Sequence, residues 1–549
     1  MNFKYNKIDV VYPIFLFGLL ILLKYKSLNL PYYWDALNYV IPTINYIHHN
    51  FFTPFLWDYN LGHPPFFFWF VAALFKMFGA SNWIAHLSVV FFSFLTLYFT
   101  YLIGKELFSR KIGIIASLLL LFTPIFFSYS GMLFLSIPLA AFSIATVYFA
   151  IKSKPLPYFI FGSLAILTEI TGILIIGGIT LAKLIKEKKI NKNVVIYALP
   201  SLMFLLLIIS NKFYYGYYLY PIDTSVLHFH IIKTFLNFFI ILKIIFFDQF
   251  RWILTSIFVL SFVNFKKINF RKKSSIVYIF LTFIFFLFLY NLDIFIGLTT
   301  VYFPNIGNYF DMIKSFSILF SILFLLILFF YKDIIRNIVK NKFLEVIVPL
   351  FVGILFFALI IPLAPRYILF LFPLVFLFFA IALNVVFKNY SYIAMLIIII
   401  IFSLNFFGDR STVGFTLETN MEYVDAVKTQ MLGAHFIEDN FPNSTVLTAF
   451  PLSSELMYPY GGYVKKPINV VTSSHFEGMI GNKKNYTYFL NPELYPKPLI
   501  DINSIDLYYY SPQQTPSDDV LDIASKLNLT LIKRFELNNK FVEIYKVNK

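Results

Sequence analysis

The sequence predicts an all-α polytopic membrane domain of about 13 transmembrane helices, each of roughly 20 apolar residues, followed by a small α/β extracytoplasmic domain. Three observations carry this. Hydrophobic residues make up 59% of the 549-residue chain and charged residues 13%, about half the charged share of a soluble domain and too little polar surface for a water-soluble fold of this length. Charge is also divided by position: residues 1–407 hold 31 Lys/Arg against 12 Asp/Glu, whereas residues 408–549 hold 13 against 16. The basic excess lies in short loops: Lys105 to Lys111, Lys152–Lys154, Lys183 to Lys192, Lys266 to Lys273 and Lys332 to Lys342. Short loops rich in Lys and Arg face the cytoplasm. The net charge of +16 is therefore a topology signal, and nucleic acid is excluded as the partner it serves. With no Cys in the chain, disulfides and thiolate metal sites are excluded as well.

Requiring every basic loop to lie inside fixes the path. The N-terminus is cytoplasmic, and the first apolar run, Val10–Leu23, lacks a small-residue cleavage site and reads as a retained span over about 10–26. A long outer loop, 28–82, follows. Within it Phe66–Phe78 is apolar but short against the roughly 20 residues of a span. Counting it as a span would put Lys105–Lys111 outside, so it reads as a helix lying at the outer interface. Spans are predicted near 83–104, 112–129 and 131–151, and 156–182 reads as a hairpin of two short spans turning near Glu169. After a span near 194–211 come an outer loop with Asp223, His228 and His230 and an interfacial stretch near 231–248. The last spans fall near 250–264, 276–291, 313–331, 344–361, 367–387 and 392–407. Odd parity puts the C-terminal domain, 408–549, outside the cell membrane. On this map Asp35, Asp58, Asp223, Asp248, Asp293 and Asp311 all reach the outer face, although acids did not enter its construction. Outer loops need polar residues in any case; the alternative is that these acids mark a working surface.

Beyond Phe407 the composition approaches that of a soluble protein, with length enough for a core. The pattern predicts a helix near 421–440, a strand at Val446–Phe450, strands near 468–472 and 505–510, a helix near 518–527, and a strand pair at Thr530–Phe535 and Phe541–Val547. Such alternation gives a small α/β domain. Three sequons, at Asn443, Asn485 and Asn528, are compatible with an outside location.

Candidate chemistry starts just past the first span, at Pro31-Tyr-Tyr-Trp34-Asp35-Ala-Leu-Asn-Tyr39. A carboxylate beside aromatics at a membrane surface can act as a general base; the plain alternative is an interfacial aromatic belt with a solvated acid. Further on, Asp58-Tyr-Asn-Leu-Gly-His63-Pro64-Pro65 leads into the interfacial helix, where two prolines fix the helix entry and hold His63 before it. His228-Phe-His230 with Asp223 would share a face, and so offer metal ligands, only on a strand.

Taken together these segments resemble the GT-C membrane glycosyltransferases, particularly glycosyltransferase family 39, with its protein O-mannosyltransferases and lipid A aminoarabinose transferases. Trp34-Asp35 matches the family's Trp/Phe-Asp-Glu motif in the first outer loop, and His63-Pro64-Pro65 its His/Lys-Pro-Pro element. Gly104-Lys-Glu-Leu-Phe-Ser-Arg110, Pro365-Arg366-Tyr367 with Pro373, and Gly461-Gly-Tyr-Val-Lys-Lys-Pro467 are further family-like phrases. Each is short; their order and topology make the case.

The resemblance implies transfer of a sugar from a polyprenyl-phosphate donor to a glycan, lipid or protein acceptor at the outer face, with inversion. It points to Asp35 as the base, to Arg366 as the phosphate ligand, and to His63, Tyr367, Trp34, Asp58 and Glu169 as further substrate-site candidates. It also admits a divalent metal ion near Asp35, although no ligand cluster demands one. The chain departs from the family at three places. Ala36 stands where Glu is usual, Ser130 to Leu139 offers no second acid, and the hairpin turn carries Glu169 where Lys is common. Either the metal or acceptor arrangement differs, with Glu169 substituting, or the chain is a non-catalytic relative. A transporter or flippase of lipid-linked saccharides is the other alternative, against which stand the lack of repeated halves and the gathering of polar residues at one face.

Overall fold

The computed structural model describes residues 7–51, 63–219, 231–261, 343–359, 364–406, 417–471, 501–514 and 518–549. The helices of the first half are α1 (Lys7–Lys24), α2 (Ile41–His49), α3 (Phe66–Phe78), α4 (Asn82–Leu107), α5 (Arg110–Phe122), α6 (Pro124–Tyr129), α7 (Ser136–Ile151), α8 (Pro155–Thr168), α9 (Ile173–Glu187), α10 (Lys192–Ala198) and α11 (Ser201–Tyr215). Then follow α12 (Ile231–Phe246), α13 (Arg251–Ser261), α14 (Leu344–Leu359), a 3₁₀ segment over Pro365–Leu371, α15 (Phe372–Phe387) and α16 (Ser391–Leu404). Local chemistry sets many of these starts. Ser81, Ser109 and Asn191 accept the backbone N–H groups of Ile84, Ile112 and Val194, satisfying donors that a helix start leaves open. Pro124, Pro155 and Pro365 sit where a missing N–H costs nothing.

Three helical runs among the described residues are long and apolar enough to cross a membrane: Ile8–Ser27, Asn82–Leu107 and the 40-residue Pro365–Leu404. The last divides at Lys388, which adopts a left-handed φ of 46°, where the sequence separates two spans. α10 and α11, bent by 44°, pass the same test as a pair. α3, α7, α8 and α14 are apolar but shorter. At Glu169 the chain is extended between α8 and a 3₁₀ turn leading into α9, so the break falls where the sequence predicts a turn. The spans expected near 276–291 and 313–331, and Asp58, Asp223, His228, His230, Asp293, Asp311 and Asn485, lie outside the described residues.

Ion pairs tie the basic loops together at one end of the helices. Asp9 near the N-terminus pairs with Lys105 at 2.8 Å and Arg110 at 3.3 Å, Glu106 with Lys152 at 3.1 Å, and Lys111 donates to the Lys388 carbonyl at 2.5 Å. Loops expected to share a face therefore meet. α4 and α5 pack through glycines: a Cβ on Gly104 would stand 2.6 Å from the Gly113 Cα, the close approach that small residues permit between membrane helices.

The C-terminal region carries α17 (Glu422–Asn440), β1 (Thr445–Leu447), α18 (Leu452–Met457), β2 (Asn469–Val471), β3 (Leu507–Tyr510), α19 (Asp518–Lys526), β4 (Leu529–Leu537) and β5 (Lys540–Val547). The strands form a mixed sheet in the order β2-β1-β3-β5-β4, with β1 parallel to β2 and β3 and the rest antiparallel. One apolar core runs unbroken from Leu16 and Phe67 in the helices through Leu417, Tyr423 and Phe450 to Tyr509 and Ile544 in and under the sheet.

Candidate active site

Four chain segments remote in sequence converge on one buried guanidinium. The first leaves α1 and runs through Leu28 to Trp34 against α4 and the C-terminal region. Asn82 Nδ2 donates to the Leu30 carbonyl at 3.3 Å, the Tyr32 N–H to the Gly461 carbonyl at 3.1 Å, and the Tyr463 hydroxyl to the Tyr32 carbonyl at 3.1 Å. Trp34 then adopts a left-handed φ of 53°, a conformation costly for a bulky L-residue unless its surroundings enforce it. A π-helical turn over Ala36–Val40 follows, a feature often found at functional sites. Between the two lies Asp35.

Arg366 faces Asp35 from the 3₁₀ segment: one terminal nitrogen donates to Asp35 Oδ2, and the other to Glu418 Oε2 at 2.8 Å. The same Glu418 oxygen accepts the Tyr129 hydroxyl at 2.5 Å. The Arg366 guanidinium stacks over the Phe134 ring at 4.7 Å and lies 5.4 Å from that of Tyr367. Exposure is uneven: the Glu418 side chain is 0% exposed and that of Asp35 23%. Burial pushes the Glu418 carboxyl above the usual carboxylate range, and the attraction of Arg366 opposes this.

Half-buried His63 lies within electrostatic reach of both Arg366 and Asp35, and burial, aided by Arg366, lowers its pKa to about 4. It is neutral at neutral pH, with one ring nitrogen to donate and one to accept. Tyr367 is within reach of Asp35 and Glu169 as well as Arg366, and Glu169 is itself buried. So Asp35, His63, Glu169, Arg366 and Tyr367 come together. Trp34 does not present a wall to a ligand: it is 2% exposed, with its indole edge-on to Phe450 at 4.9 Å, and packs the C-terminal region onto the loop. Asp58 lies outside the described residues.

Sequence reasoning missed Glu418 and Tyr129. Glu418 is one of 16 acids after residue 407, and nothing in its local sequence sets it apart. Its position is made by contacts from distant segments. Gln249 Nε2 donates to the Thr419 carbonyl at 2.6 Å, Ser128 Oγ to the Asn420 carbonyl at 2.8 Å, and the Met421 N–H to the Phe406 carbonyl at 2.9 Å. Gln249 is in turn held by Arg251 at 3.0 Å and the Ile125 N–H at 3.1 Å.

Among the described residues no group of three or more His, Asp or Glu could hold a metal ion. Asp35 and Glu418 both turn onto the Arg366 guanidinium.

The family of dolichyl-phosphate-mannose-protein mannosyltransferases matches residues 62–215. No curated protein matches the chain by sequence. Among solved structures, the crystal structure of ArnT from Cupriavidus metallidurans bound to undecaprenyl phosphate is similar, with a TM-score of 0.53 and 11% identity over 98% of each chain. The apo structure of the same protein gives a TM-score of 0.51 and 11% identity over 97% of this chain and 98% of that one. The resemblance read from the sequence is borne out to this extent: the chain shares the fold of ArnT, and the mannosyltransferase family's model matches residues 62–215.

Proposed function

We propose that the protein is a membrane glycosyltransferase that moves a sugar from a polyprenyl-phosphate donor to a hydroxyl of a glycan, lipid or protein at the outer membrane face, with inversion. The observation that carries this reading is the buried Asp35–Arg366–Glu418 cluster beside neutral His63, within a fold shared with a protein whose structure is described as bound to undecaprenyl phosphate. In the reaction the acceptor oxygen attacks the anomeric carbon and its proton passes to Asp35. The bond from that carbon to the phosphate oxygen breaks, its electron pair leaving with the lipid phosphate. Arg366 balances the charge that grows there, as a fixed positive charge does best in a water-poor site. His63, uncharged, can hydrogen-bond either partner.

On this reading residues 1–407 form the membrane-embedded catalytic part, with about 13 spans each of roughly 20 residues and the N-terminus in the cytoplasm. Residues 408–549 form an extracytoplasmic domain. The missing loop acid raises a non-catalytic relative as the alternative; the carboxylate that Glu418 brings to Arg366 from another segment supports the catalytic reading.

The test is transfer of radiolabelled hexose from a polyprenyl phosphate by the purified protein. Asp35→Asn keeps shape and hydrogen bonding but cannot take a proton, so the chemical step should slow by about 100-fold or more while the protein remains folded. A folded Asn variant with the parental rate would remove Asp35 from the role.

A further inference from the structure

The resting cluster poses an electrostatic problem for the proposed donor. Two carboxylates, Asp35 and Glu418, already occupy the terminal nitrogens of Arg366, and the buried carboxylate Glu169 lies near Tyr367. Among the described residues the cation that meets these carboxylates is Arg366, because His63 is neutral at neutral pH. A phosphate entering this arrangement unchanged would add an anion to a site with more carboxylates than cations, and in a poorly solvated site like charges repel strongly. One carboxylate must release the guanidinium.

The geometry says which. Glu418 has no exposed side-chain surface, accepts a second hydrogen bond from Tyr129, and sits in a segment fastened by Gln249, Ser128 and Phe406. Asp35 is 23% exposed, makes no side-chain capping bond to the turn it begins, and lies on the loop side of the cluster. Breaking the Glu418 contact would strand a carboxylate with no water to receive it. Breaking the Asp35 contact would not.

We propose that the phosphate of the lipid donor takes the place of Asp35 on Arg366, while Glu418 stays bound as the fixed anchor, so that donor binding itself releases the catalytic base. The pair Asp35–Arg366 is then an internal stand-in for the donor complex: the carboxylate covers the phosphate-binding nitrogen until a phosphate arrives. Once displaced, the Asp35 oxygens are free to accept the hydrogen bond and then the proton of the acceptor hydroxyl. Before donor binds, they are turned onto Arg366, and an activated acceptor without a sugar to attack does not form. Glu418 acts through Arg366 and is a positioning residue; the groups that touch substrate are Arg366 and Asp35.

This rests on the glycosyltransferase reading above, and a binding experiment separates the two. Binding of undecaprenyl phosphate to the full-length detergent-solubilised protein is measured by intrinsic tryptophan fluorescence, with monodispersity by size exclusion as the folding control. If Asp35 competes with phosphate for Arg366, Asp35→Asn should bind the probe about tenfold more tightly than the parent, the scale of coupling between groups in direct contact, although its turnover is slower. In steady state the same variant should lower KM together with kcat, the pattern of a removed ground-state contact; loss of a merely structural residue would not lower KM. Glu418→Gln should do the opposite, weakening the probe and raising KM, because Arg366 loses its anchor and turns to Asp35. Rescue by Glu418→Asp, which restores the charge, should be partial. Binding by the parent with equal or weaker binding by Asp35→Asn would overturn the exchange and leave the donor assignment standing. No binding by the parent, or full binding by Arg366→Ala, would overturn the donor assignment and the exchange with it.

Discussion

Arg366 is held by carboxylates on two sides and stacked on Phe134, so its planar fork, and not its charge alone, fits the place it occupies. Lysine presents a point charge that cannot span Asp35 and Glu418 at once. Arg366→Lys should therefore keep the protein in the membrane yet lower transfer by about 100-fold, the scale for removing a fixed charge-stabilising donor; full activity in that variant would mark Arg366 as a headgroup contact. His63 yields a pH prediction of definite sign. Its pKa falls from the usual 6.5 to about 4 on folding, so between these values the unfolded chain holds a proton that the folded chain does not, and stability rises with pH across that window and is flat above it. Thermal unfolding from pH 4 to 7 should show this slope in the parent and a shallower one in His63→Gln. Equal slopes in the two proteins would mean that His63 is not held neutral by the fold.

Elements whose signal is local were legible in the sequence. The helix over Phe66–Phe78, the break at Glu169, the helix at 422–440 and the terminal strand pair all appear within a few residues of the positions predicted, because apolar periodicity, prolines and strand alternation act over short distances. The site was half legible for the same reason. Asp35, His63 and Arg366 belong to short phrases with recognisable order, whereas Glu418 and Tyr129 acquire their meaning only when the loop at Gln249 and the end of α16 bring residues 417–421 under α6. The Gly461-Gly462 phrase gains a physical cause here. The Gly461 carbonyl receives the Tyr32 N–H, and a Cβ at Gly461 would stand 2.5 Å from Leu37 Cδ1. Gly461→Ala should push the C-terminal region off the loop that carries Asp35. The expected result is faster proteolysis within 408–549 and reduced transfer, with less effect on insertion into the membrane. Unchanged protease resistance and rate would show that the contact has slack.

At the scale of the whole molecule, the ion pairs of Asp9 with Lys105 and Glu106 with Lys152 and the hydrogen bond from Lys111 to the Lys388 carbonyl at one end, and the carboxylates gathered around Arg366 from other loops, give the chain two chemically distinct ends. Positive loops stay in the cytoplasm. A reporter fused after Val547 should thus be active only outside it, and one fused after Lys188 only inside; two fusions active on the same side would break the map. The continuous core also changes what is expected of the C-terminal region alone. Its composition suggests a self-sufficient domain, but Tyr423, Phe450 and Tyr463 are buried in a core shared with the helices. Fragment 408–549 should therefore bind a dye specific for exposed apolar surface and show no transfer; a fragment that stays soluble without binding the dye would mean that the shared core is not needed for its fold.

The order of these residues along the chain sets a schedule for the molecule's birth. Asp35 leaves the ribosome first, Arg366 long afterwards, and Glu418 only once every helix of the membrane part has been made. A nascent chain cannot assemble the cluster while it is still being made, since the anchor of the guanidinium belongs to the last portion of the chain. A chain released between residues 366 and 418, by a stop codon or a stalled ribosome, would carry both Asp35 and Arg366 and still lack the contact that sets them apart in function. Incomplete copies left in the membrane are thereby mute, and competence arrives in a single step with the far end of the polypeptide.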